Sequence, residues 1–172
     1  DAPVPSGTLP TVTPSTTPTR TQTPSPSTST TDEDDCLSGR WVLDTADYEA
    51  QSISWLRSTG IPLDELEMTG AQRLDFGADS FYLSSDLTTT ASVMGVTVGW
   101  TDASAGDGDL VREDAGFHVD DFAWQVRPEV PPDRAPAPPA RDWSEPIGVR
   151  CSEKLLELSG GGSPLVGRFV RP

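Results

Sequence analysis

The chain has 172 residues, with 12 basic and 27 acidic side chains, for a formal net charge of -15. Only the part from about Cys36 onward can bury a core, so it makes one domain and leaves too little chain for a second. So acidic a surface repels phosphate backbones and anionic headgroups, which disfavours nucleic acid and direct membrane-surface binding. The basic set is Arg but for Lys154, and Asn is absent, which reads as the codon bias of a high-GC bacterium and removes every N-glycosylation sequon. The first residue is Asp1 rather than Met, and no leader or membrane-spanning run is present. An export signal or anchor, and with it an envelope tether, is therefore expected upstream.

Residues 1–31 hold seven Pro, five Ser and eleven Thr. Such a segment has little apolar surface to offset its ordering entropy, so residues 1–35 are expected to form a disordered, semi-rigid stalk. The acidic run Asp32-Glu33-Asp34-Asp35 marks its boundary with a folded domain over 36–172. The domain opens on Cys36, and the second cysteine, Cys151, stands near its other end. With no CxxC and a single histidine, zinc is excluded and a disulfide in an oxidising compartment is expected. Closing so long a loop would stabilise the fold by about 4–5 kcal/mol at the upper end.

Gly39 to Leu43 reads as a first strand. Asp44 or Thr45 caps a helix with Asp47 and Glu49 in its first turn, and Tyr48, Ser52, Trp55, Leu56 and Thr59 share one of its faces. Gly60 and Pro62 end it. Leu74 and Phe76 alternate with polar residues, Gly77-Ala78-Asp79 turns, and Phe81 and Leu83 alternate on the return, which predicts a hairpin. Residues 87–100 read as one long strand ending at Trp100, and Asp102 to Gly108 as an acidic turn. Strands are predicted around 109–115 and 117–126, where Phe122, Trp124 and Val126 share a parity. Residues 128–146 carry seven Pro and form a surface excursion, with Trp143 folded back as an anchor. Strands at 147–151, 154–158 and 165–171 complete the pattern, the last two joined by a Gly160-Gly161-Gly162 turn. About eight short strands and one early helix favour an all-β fold, a closed antiparallel barrel, with a β-sandwich as the alternative.

The pair Gly39-x-Trp41 on the first strand, with an arginine in Arg168-Phe169-Val170-Arg171 on the last, resembles the lipocalin and fatty-acid-binding group of small barrels. The segment Leu74 to Phe81 is also similar to lipocalin-like domains of secreted actinobacterial proteins. The resemblance implies that Trp41 closes one end of the barrel and that an arginine packs across its indole. Parity with Leu165 and Phe169 selects Arg171 over Arg168. Two departures stand out: the helix falls between the first two strands rather than after the barrel, and the 128–146 excursion belongs to neither group.

Five tryptophans are many for so small a domain. Phe81, Met94, Trp100, Phe117 and Trp124 are expected to line an apolar cavity for a small hydrophobic or lipid-like molecule, or else to fill the core. Asp102, Asp107 and Asp109 lack calcium-loop spacing and read as a solvated turn. His118 is the one imidazole, and no nucleophile or metal motif accompanies it, so no enzyme, cofactor or metal is expected. The sequence thus predicts a monomeric, non-enzymatic, secreted or envelope-anchored binding domain. Its alternative is a filled barrel acting as a structural, sensor or protein-interaction module.

Overall fold

Alternating apolar and polar residues produce nine antiparallel strands and one long helix among the residues described by the computed structural model, 36–129 and 135–172. The stalk expected over 1–35 and the middle of the 128–146 excursion lie outside those residues. In chain order the elements are β1 (Gly39–Leu43), α1 (Thr45–Ser58), β2 (Leu63–Thr69), β3 (Gln72–Phe76), β4 (Ser80–Val93) and β5 (Val96–Glu113). Then follow β6 (Gly116–Val126), β7 (Ile147–Cys151), β8 (Leu155–Gly160) and β9 (Ser163–Val170).

Eight strands close on themselves in the order β4-β3-β1-β9-β8-β7-β6-β5, with β5 returning to β4. The fold is therefore the closed antiparallel barrel, not the sandwich. β2 is an extra strand outside the ring. It pairs with the far half of β4, at Leu66↔Ala91, whereas the near half of β4 pairs with β3, at Phe76↔Phe81. β2 was hidden in the sequence by Asp64, Glu65 and Glu67, and a bulge between Leu63 and Glu65 breaks its alternation.

Three expectations about the middle of the chain need correction. The long strand over 87–100 is interrupted by a tight turn at Met94 and Gly95, whose φ angles are 51 and 76 degrees. The segment from Asp102 to Gly108 is not a turn but the centre of β5, paired along its length with β4. Its alternating glycines face inward, and a side chain on Gly106 would stand 2.6 Å from Phe122 and one on Gly108 2.5 Å from Val119. The third correction concerns β6. An extra residue between the pairs Asp107↔Ala123 and Asp109↔Asp120, at Asp121 with φ of 51 degrees, switches its parity. Phe117 and Val119 before the bulge and Phe122 and Trp124 after it therefore face the same interior. A second shift, opposite Ala105 and Gly106, turns Val126 outward to 52% exposure instead of alongside Trp124.

The barrel has two unlike poles. At one lie the turns after β3, β5 and β7, together with Cys36 and Leu37. Here Trp41 is fully buried, its indole N–H donates to the Leu37 carbonyl at 2.9 Å, and the Arg171 guanidinium lies 4.1 Å from its ring centroid. Arg171 also donates to the carbonyls of Ser38 at 2.8 Å and Cys36 at 3.0 Å. Cys36 and Cys151 are joined in a disulfide, Cα atoms 6.1 Å apart and 115 positions apart in sequence. At the other pole lie the turns after β4 and β8, the β6–β7 excursion and α1.

α1 starts where Asp44 accepts from the Asp47 amide at 3.1 Å. It is bolted to the barrel by polar contacts as well as by buried Ser52 and Leu56. The Gln51 amide mimics a strand neighbour, donating to the Val166 carbonyl at 2.9 Å and accepting from its amide at 3.1 Å. Arg168, outward on β9, pairs with Asp47 at 2.8 Å and Glu157 at 2.9 Å. It is the helix clasp, distinct from Arg171 at the other pole.

Candidate functional site

The lumen is filled at one pole and hollow at the other. Phe76, Phe81, Phe117 and Trp143 form a plug, with ring centroids 5.3 Å apart for Phe76–Phe81, 5.2 Å for Phe76–Phe117 and 4.8 Å for Phe81–Trp143. Trp143 is 5% exposed, and its carbonyl accepts from the Val119 amide at 2.9 Å, so the proline-rich excursion returns as a strap stitched to β6. Above the plug is a cavity of about 330 Å³. Its walls are Leu43 from β1, Tyr48 from the first turns of α1, and Met68 from β2. Leu87 and Thr89 from β4, Trp100 from β5, Trp124 from β6, the strap from Ala137 to Trp143, and Phe169 from β9 complete them.

The five residues expected to line a cavity divide accordingly. Trp100 and Trp124 do line it. Phe81 and Phe117 are fully buried in the plug below, because their strands reach the closed pole at those positions. Met94 is 79% exposed at the β4–β5 turn and takes no part, since the turn carries it beyond the barrel.

The cavity is also lined by the polar groups Gln72, Asp102 and Ser104, with buried Ser85 beside them, an inward cluster that sequence reasoning missed. The register places Gln72, Ser85 and Ser104 side by side on β3, β4 and β5, and Asp102 one step along β5 on the same face. Ser85 and Ser104 are buried. The Ser85 hydroxyl and one Asp102 carboxylate oxygen, Oδ1, are sealed from solvent without a protein hydrogen-bond partner. The inward parity of Trp100, Asp102, Ser104 and Leu110 was the available signal, obscured by reading the glycines as a turn.

Arg141, on the strap, reaches across the β8–β9 end. It donates to the carbonyls of Gly160 at 2.9 Å, Leu158 at 3.0 Å and Leu165 at 3.0 Å. Burial lowers its pKa, as desolvation disfavours the charged form, with the nearby Tyr48 acting in the opposite sense. Burial likewise raises the pKa of Tyr48, opposed by Arg141 and reinforced by Asp102.

His118 lies outside the cavity, its Nδ1 2.9 Å from Glu113 and its Nε2 3.3 Å from Asp120. Asp102 points inward while Asp107 and Asp109 have the opposite parity, so the three do not converge. Among the described residues no cluster of three metal-ligating side chains forms, and no helix is long and apolar enough to cross a membrane. Compared with known families, with curated proteins and with solved structures, the chain shows no match.

Proposed function

We propose that this chain is a non-enzymatic, extracytoplasmic binding domain of the lipocalin-like kind, acting as a monomer and taking a small hydrophobic or lipid-like molecule into the mouth of its barrel. The observation that carries this reading is the half-filled lumen, with an aromatic plug at one pole and a cavity of about 330 Å³ at the other. That volume lies at the lower end of the roughly 300–1,000 Å³ seen for small-molecule pockets. The Gly39, Trp41 and Arg171 arrangement supports the lipocalin-like part, and the Cys36–Cys151 disulfide supports an oxidising compartment. His118 held between two carboxylates on the barrel wall, away from the cavity, supports a binding rather than a catalytic role.

Titration with Nile red, an uncharged apolar dye, tests the reading. A gain in dye emission with quenching of Trp100 and Trp124 is expected. Unchanged dye emission together with unchanged tryptophan emission would overturn it. That outcome would leave the alternative of a filled structural or interaction module, which the aromatic plug favours.

A further inference from the structure

Resting on the cavity reading, the geometry points to a specific ligand class: a small organic cation with an amine head and a single-ring apolar body, its ammonium held by Asp102 and its body lying against Trp100 and Trp124.

The argument begins with Asp102. A carboxylate with one oxygen cut off from both solvent and protein donors is costly, because desolvation is not offset by a hydrogen bond. Among the described residues it forms no ion pair. The one guanidinium lining the same cavity, Arg141, makes no ion pair with it and directs three donor contacts to the carbonyls of Leu158, Gly160 and Leu165, which clamps the strap. Asp102 sits in the cavity wall, and with Oδ1 sealed it is the other carboxylate oxygen that can meet a ligand there.

Its neighbours suit a cation. Tyr48, Trp100 and Trp124 line the same space, and indole and phenol faces attract a positive charge through their quadrupoles. A second carboxylate, Glu129, stands at the mouth. The chain's net charge of -15 concentrates cations near any such opening and repels fatty-acid anions. Size decides the body. A cavity of about 330 Å³ suits one ring and a short linker rather than a long acyl chain.

Three probes that share a phenethyl body test this by calorimetry on the full chain: phenethylamine, phenethyl alcohol and hydrocinnamate. The amine is expected to bind about tenfold or more tighter than the alcohol, as an ion pair adds to the hydrogen bond a hydroxyl can also give the carboxylate, with the carboxylate weakest. Asp102→Asn should remove the preference for the amine, lowering amine affinity more than alcohol affinity. It should also stabilise the ligand-free domain to heat, a gain that a merely structural Asp102 would not produce. Alcohol or carboxylate binding as tightly as the amine overturns the cation assignment and leaves the cavity reading standing. Amine affinity unchanged in Asp102→Asn also overturns it. Should the variant fail to fold, the ranking of the three probes on the native chain decides alone. Silence from all three probes and from Nile red overturns both readings.

Discussion

Gly39 carries no side chain because Arg171 occupies its place. A Cβ there would stand 2.6 Å from the Arg171 Nη1, and its φ of 101 degrees is one that side-chain-bearing residues avoid. The guanidinium uses that gap to reach the Trp41 face and two carbonyls at once. Gly39→Ala is therefore expected to lose about 1–2 kcal/mol from backbone strain alone, with a further loss as Arg171 is displaced. Arg171→Ala should cost about 2–3 kcal/mol through the lost stacking and hydrogen bonds, and Arg171→Lys only slightly less, since an ammonium cannot make the planar fork. Urea denaturation of the three variants checks the order. These residues were legible through the resemblance to small barrels that the Gly-x-Trp pair carries, with strand parity choosing Arg171 over Arg168. Asp102 was not, because its role depends on which strands flank it and on a strap arriving from forty positions away.

At the scale of elements, the β6–β7 excursion is where sequence and structure complement each other best. Seven prolines announce that residues 128–146 cannot be a ladder strand, and Trp143 folds back as the expected anchor, while packing adds that Arg141 ties the strap down. Trp143 sits against Phe81, and Arg141 ties the strap to β8 and β9. Trp143→Ala is expected to destabilise the domain by about 3–5 kcal/mol, the usual cost of emptying a buried aromatic site, with a matching loss of near-ultraviolet circular dichroism. A loss below 1 kcal/mol would mean that the strap is held by its backbone alone. The helix and the hairpin across Gly77 were readable from capping and alternation. The β4–β5 turn was not, as Met94 is unusual at a positive φ and Gly95 stands alone within a run of β-formers. Nor was the parity switch in β6, since a one-residue bulge leaves no mark on composition and shows itself only as Phe117 and Trp124 sharing a face.

For the whole molecule, ring closure through the β1–β9 pairing and the Cys36–Cys151 bond are separate fastenings of the same pole. Reduction is expected to leave the barrel folded but less stable by up to about 4–5 kcal/mol, the chain-entropy figure for so long a loop. Thermal melts with and without reductant, alongside intact mass to verify the bond, measure this. A melting point indifferent to reductant would show that β-pairing alone restrains the ends. The barrel as a class followed from strand count and the single early helix, while the division of its lumen into plug and cavity did not, since both halves draw on the same aromatic residue types. That division gives the molecule a direction. Cys36, where the described chain enters, accepts a hydrogen bond from Arg171, where it ends, so anything joined before Cys36 attaches at the plugged pole. The mouth opens on the opposite side, so a ligand would come and go at the end of the domain remote from Cys36.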